Sequence, residues 1–298
     1  MFRARSTRAA ELDDPLRGLA AAPAPAPDEA AQRCAAALRS SGARLAALHV
    51  AAPGPVRTDF AALLAWLVLV ERSEADEVLR GALARELAGA ETGAPASTLA
   101  AALGPASARC DVPFGQLRAG LDAVTRTERG FGTREELLEY ARVRCATPCR
   151  VFAQVFGLDS DRGRALVDAV GVGLRLSSWV RNAGREWRRG RLVVPSEDLA
   201  RAEVRVSEIA EGSESTGTRV LLAELADWSR TWLRKGWPLA FELGPVRGRG
   251  LAAVLRWNDA ALARLADGED RSSLANGTRP PIARWPWIGA ALVTRDAP

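Results

Sequence analysis

From Asp28 onward, alanine and leucine recur at spacings of three and four residues, and β-branched alternation is scarce. Those spacings line one face of a helix of 3.6 residues per turn, whereas a half-buried strand needs alternation by two. The chain is therefore expected to be all-α. Breakers divide the helices at Pro53-Gly54-Pro55, Gly93-Ala94-Pro95, Gly104-Pro105, Gly130 to Gly132, Gly190, Pro195, Gly212 to Gly217, Gly244-Pro245 and Pro280-Pro281. Two helix starts are legible. Thr133 precedes Glu135 and Glu136, and Ser196 precedes Glu197 and Asp198, so acids fall in a first turn at the positive helix end. Residues 1–28 close on the Ala-Pro run of Pro23, Pro25 and Pro27, a composition expected to form a disordered tail. One all-α domain over 29–298 follows.

Composition narrows the classes. The 298 residues are 48% hydrophobic and 26% charged, an ordinary globular balance. The longest apolar run, Phe60 to Val70, is too short to span a bilayer and reads as a buried helix, so no transmembrane segment is expected. The early arginines Arg3, Arg5 and Arg8 are followed at once by Glu11, Asp13 and Asp14, with no apolar leader or small-residue cleavage site. A cytoplasmic protein is expected, with Cys34, Cys110, Cys145 and Cys149 as reduced thiols. A single histidine, His49, argues against a zinc site. Net charge is +5, with Lys235 the only lysine. Most arginines alternate with acids, as solvated faces do. One cluster stands apart: Arg181, Arg185, Arg188, Arg189 and Arg191. It lacks a binding motif and interleaved aromatics, so no nucleic acid is expected as partner.

The segment from Leu166 to Val204 is the most informative. On a helix, Arg175, Ser178, Asn182, Glu186 and Arg189 form one polar stripe, opposite Val172, Leu174, Leu176 and Val180. A polar stripe on a helix with little face left for water implies a wet or ligand-filled cavity. Gly190-Arg191-Leu192-Val193-Val194-Pro195 and Asp198-Leu199 then resemble the tail of the second acidic-motif helix in the squalene/phytoene synthase family. The resemblance extends over roughly residues 40 to 290. It takes in Pro53-x-x-x-Arg57, the middle region from Cys110 to Val151 with Tyr140, and the spacing of Trp228, Trp232, Gly236, Arg247 and Trp257.

That resemblance implies a single-domain bundle of the isoprenoid synthase type with a central cavity, and two acidic clusters that hold Mg²⁺ on diphosphate. Here the clusters are altered. Glu71, Glu74 and Asp76 stand at the first, with Ala75 where the family has an aspartate; Asn182 and Glu186 replace both aspartates of the second, and Arg175 and Ser178 replace a Gln and an Asn. Arg44, Ala46 and Val68 fall on substrate-side positions, and Pro148 replaces a glycine helix break. Hard oxygen ligands suit Mg²⁺, so Glu71, Glu74, Asp76, Asn182 and Glu186 are the expected metal ligands. Arg57, Arg181, Arg189 and Arg191 are the expected diphosphate contacts. Glu71, Glu186 and Tyr140 are the catalytic candidates. Trp66, Arg175, Ser178, Trp179, Trp232 and Trp257 are the expected acceptor-pocket walls, each tryptophan having core packing as its plain alternative.

The expected partners are one isoprenyl diphosphate, dimethylallyl or longer, and an aromatic small-molecule acceptor, joined by a Mg-dependent prenyltransferase of secondary metabolism. Two alternatives stay open: a catalytically inactive scaffold, and head-to-head synthesis of squalene or phytoene.

Overall fold

The computed structural model describes residues 14–41, 49, 52–125, 130–158, 160–188, 190–212 and 215–268. Among the described residues every regular element is helical and no strand forms. Contacts divide the chain into two compact units where one domain was expected: Met1–Arg126 with Arg150–Asp159, and Thr127–Cys149 with Ser160–Pro298.

The first unit holds α1 (Pro15–Ala21), α2 (Pro27–Ser40), α3 (Arg57–Arg72), α4 (Glu77–Glu91), α5 (Thr98–Arg109) and α6 (Phe114–Thr125). The apolar run expected to be a buried helix is α3, with Phe60, Leu63, Trp66 and Leu69 all inside. Helices α2, α3 and α5 pack on one another around Leu38, Leu63, Leu99 and Leu103. A charge is buried there too. Asp59 accepts two hydrogen bonds from Arg109, at 2.8 and 2.5 Å, tying α3 to α5.

Two expectations need correction here. The disordered tail does not reach residue 28, because α1 begins at a cap: Asp14 accepts from the Leu16 amide at 3.1 Å and Pro15 occupies the first turn. Leu16 and Leu19 then enter the core, and Arg72 clasps Asp14 at 2.5 Å. Nor does Gly104-Pro105 divide helices, since α5 runs through both. Proline deletes one backbone bond, but Leu103 and Ala106 on either side are wholly buried, and that burial holds the turn.

The second unit begins in α7 (Arg134–Phe156), whose residues from Arg150 on belong to the first. Thr133 starts it as expected, its hydroxyl accepting from the Glu136 amide at 3.2 Å. Pro148 lies inside α7 without ending it. There follow α8 (Asp161–Arg181), α9 (Ala183–Arg188), α10 (Ser196–Arg201), α11 (Val206–Glu211), α12 (Thr216–Gly236), α13 (Leu239–Glu242) and α14 (Gly244–Ala266). Asp198 of α10 is fully buried and gathers Arg134 at 2.8 Å and Arg201 at 2.5 Å, which anchors the start of α7.

Helices α8, α12 and α14 pack together, with α8 and α12 especially close. A Cβ on Gly173 would lie 2.8 Å from the Leu233 backbone nitrogen, and one on Gly236 would lie 2.9 Å from that of Val170. Alanine is normally the better helix former by about 1 kcal/mol. At Gly173 the sign should invert: Gly173→Ala is expected to destabilise by about 1–3 kcal/mol, read from a denaturant melt, because backbone must move to admit the methyl.

Candidate functional site

The second unit gathers most of the expected site residues along the end of α8. Helix α8 stops at Arg181, Asn182 turns with φ −117° and ψ 16°, and α9 resumes at Ala183. The stripe expected on one helix is thus carried on two, with Arg175 and Ser178 before the break, Asn182 at it and Glu186 after it. Backbone bonds nearly bridge the gap: Asn182 donates to Ser178 at 3.1 Å, and Glu186 donates to Asn182 at 2.9 Å.

Arg181 is 7% exposed. Its guanidinium donates to the Ser177 carbonyl and to Asn258 Oδ1, each at 3.1 Å, and lies 4.5 Å from the centre of the Trp257 ring. The stacked ring and these oxygens are among the contacts that let a cation rest inside the protein. Asn258, 3% exposed on α14, also takes the Ser177 hydroxyl on Oδ1 at 3.0 Å and gives its amide to Val254 at 2.8 Å. Ser177 and Asn258 were missed in the sequence. The signal available was a polar residue at an apolar position of each helix, and nothing in the sequence says that the two meet.

Glu186, 5% exposed, pairs with Arg191 through its side chain, and the Arg191 amide donates to the Glu186 carbonyl at 3.0 Å. The Asn182 side-chain amide donates to the Ser178 carbonyl at 2.6 Å. Beside these lies an aromatic column. Arg175 sits 5.7 Å from the Trp179 ring centre, Tyr140 stacks on Trp179 at 5.6 Å, and Phe131 tilts against Tyr140 at 5.2 Å. Trp232 is half-buried, with Lys235 at 4.4 Å and Arg142 at 5.6 Å over its ring. Arg144, one turn beyond Tyr140, is buried as well.

Other expected residues fall elsewhere. Glu71 and Glu74 are half-buried in the first unit, at the last turn of α3 and in the 3₁₀ turn after it. Asp76 acts locally, capping α4 by accepting from the Leu79 amide at 2.9 Å and pairing with Arg17 at 2.8 Å. The Leu79 amide, more than the Arg17 charge, holds the Asp76 carboxyl below its ordinary range. Arg57 is exposed and donates to its own loop at the Ala52 carbonyl, 3.3 Å away. Trp66 is 0% exposed, so it presents no surface to a pocket; it fills the first unit's core instead. Arg189, Arg44 and Ala46 lie outside the described residues.

The thiols are packing groups. All four cysteines are buried and outside any disulfide, and burial pushes Cys34 up to about 12 and Cys110 up to about 11, with Cys149 also raised. Cys34, Cys110 and Cys149 therefore stay protonated near neutral pH.

The second unit's residues by themselves offer a divalent cation few oxygens. The Glu186 carboxylate is already matched by Arg191, and Asn182 offers one neutral oxygen. Among the described residues no three His, Cys, Asp or Glu side chains come together as a metal site would need. What the arrangement does offer is hydrogen-bond donors and positive charge.

An all-α chain with this polar, arginine-rich helix end has the fold of the isoprenoid synthases. The family model for squalene/phytoene synthase matches residues 38–286, and the chain belongs to that family. A phytoene synthase from Thermus thermophilus is 27% identical over 190 residues, covering 58% of this chain and 63% of that protein, so the match spans less than two thirds of that relative's length. The squalene synthase HpnC from Alicyclobacillus acidocaldarius superposes with a TM-score of 0.69 at 24% identity, covering 85% of this chain and 95% of its own. A dehydrosqualene synthase gives 0.69 at 16% identity, covering 88% and 95%. At those identities the superpositions show the fold alone. No helix among the described residues is long and apolar enough to cross a membrane.

Asp76→Ala separates capping from metal binding. It is expected to cost about 1 kcal/mol near neutral pH, with or without Mg²⁺, in a thermal melt. A depressed carboxyl stabilises above its unfolded pKa and loses that contribution as pH falls through its folded value, so the deficit should vanish in acid.

Proposed function

We propose that this chain is an enzyme of isoprenoid metabolism that binds isoprenyl diphosphate and transfers its prenyl group, by head-to-head condensation as in squalene or phytoene synthesis. The observation that carries this reading is the family match over residues 38–286, which includes the whole arginine-rich end of α8 and α9. Relatives named for squalene and phytoene synthesis support condensation above transfer to an aromatic acceptor. The acceptor reading keeps one observation in its favour: the Glu186–Arg191 pair and neutral Asn182 leave little carboxylate charge for organising two diphosphates.

In this reading Arg181 and Arg191 supply charge-assisted hydrogen bonds to the departing diphosphate. The column of Trp179, Tyr140 and Phe131 gives an allylic cation an aromatic, poorly hydrated surface. A cytoplasmic location, where soluble isoprenyl diphosphates are at hand, suits that role.

The test is incubation of the full chain with farnesyl or geranylgeranyl diphosphate, in Mg²⁺ and in EDTA, with and without pooled aromatic acceptors. Release of diphosphate with a C30 or C40 product is expected. Release only when an acceptor is present would replace condensation with aromatic prenylation. Neither release nor thermal protection by any donor would leave a non-catalytic member of the family.

A further inference from the structure

Charge is unevenly placed along the chain, and one corner of the second unit carries the surplus. Residues 228–264 hold seven basic and two acidic side chains, a surplus of five, which equals the net charge of all 298 residues. The rest of the chain is balanced. Both acids in that stretch are already matched, Glu242 by Arg162 of α8 and Asp259 by Arg230, each at 2.8 Å. Arg234, Lys235, Arg247, Arg249 and Arg256 are all exposed.

The stretch folds back on itself, which concentrates those charges. Helix α12 ends at Gly236, the single turn of α13 follows, and α14 sets out from Gly244. A Cβ on Gly248 would overlap the Ala240 carbonyl oxygen, so α14 lies directly against the α13 backbone. Further along α14, Arg256 reaches to 5.8 Å from the centre of the Trp237 ring. Leu239 and Ala240 are buried, while Phe241 stands 76% exposed.

A lone apolar side chain on a surface is ordinary. Phe241 differs in its setting, because Trp237, Pro238 and Leu243 near it are partly exposed and basic side chains flank them on both helices. An aromatic tip with a basic rim suits a bilayer surface: the ring enters the headgroup boundary and the cations meet anionic phosphates. One projecting ring gives no platform for the successive bases of an extended nucleic acid. No helix among the described residues can cross a membrane, so any such contact lies on the surface.

We propose that α13 and the adjoining ends of α12 and α14 dock the protein on an anionic lipid surface, with Phe241 entering the headgroup boundary and Arg234, Lys235 and Arg247 supplying the attraction. The inference goes beyond the prenyl-transfer reading and stands without it, since Phe241, Arg234 and Arg247 have no part in the chemistry assigned above.

The experiment is sedimentation of the full chain with vesicles of phosphatidylcholine alone or mixed with phosphatidylglycerol. Binding to the anionic vesicles only is expected, with release at about 1 M salt, where the Debye length falls to about 3 Å. Phe241→Ser should weaken binding about tenfold, and Arg234→Glu combined with Arg247→Glu about as much. Val78→Ser, at an apolar residue 83% exposed in the first unit, should leave it unchanged. Phe241→Cys, in a chain whose own cysteines are buried, accepts an environment-sensitive dye at that position. Its emission should shift to the blue on anionic vesicles and stay put on neutral ones. Melts taken alongside show which variants are folded, and the dye-labelled chain keeps the test decisive if the charge-reversed one is not. Absence of binding, equal binding to neutral vesicles, or a dye that does not shift overturns the proposal. So does a Val78→Ser variant as impaired as Phe241→Ser. Displacement by duplex DNA, with Phe241→Ser binding vesicles as well as the parent, would make the corner a general polyanion site and overturn it too. Turnover of isoprenyl diphosphate is read separately, so either reading can fail alone.

Discussion

The second unit depends on how closely α8 and α12 approach. Gly173 and Gly236 remove the two side chains that would otherwise hold the backbones apart, and Val170 and Leu233 fill the space from either side. Close packing fixes the direction of α8 and leaves its end little freedom. The polar residues described at or beside that end are Arg175, Ser178 and Arg181 on α8, Glu186 on α9, and Asn258 across from them on α14. A rigid rod places a buried guanidinium accurately where a loop would not.

Carboxylates in both units are matched by structural partners. In the first, Asp59 and Arg109 satisfy each other with two bonds, and Asp76 satisfies a helix start. Asp198 in the second is of the same kind, a carboxylate enclosed by Arg134 and Arg201. Such pairs are closed and structural, and removing one partner strands the other charge. At the end of α8, Arg181 stacks on the Trp257 face and donates to the Ser177 and Asn258 oxygens, and the buried Trp257 N–H meets no acceptor among the described residues.

Several readings of the sequence hold for local reasons. The helix starts at Thr133 and Ser196 were legible because their signals are local: the Thr133 hydroxyl caps the first, and Pro195 with Glu197 and Asp198 in the first turn opens the second. The apolar run of α3 was legible because its periodicity is its own. Readings that failed did so for a shared reason. Pro105 looked like a breaker, and residues 15–21 looked like a tail, because the neighbours that hold them come from distant segments: Arg72 for Asp14, and the first unit's core for Leu16 and Ala106. Trp66 looked like a pocket wall because composition does not say which tryptophan faces inward on all sides.

The sequence by itself determined the all-helical class, the family, and the substitutions that thin its acidic motifs, because periodicity, caps and motif spacing are properties of neighbouring residues. Only the tertiary structure decided which charges are spent. That Glu186 lies against Arg191, and that Asp76 caps a helix, depends on what lies within about 3 Å in space. Distance along the chain does not report that, since a carboxylate's chemistry is set by the nearest opposite charge and by its access to water.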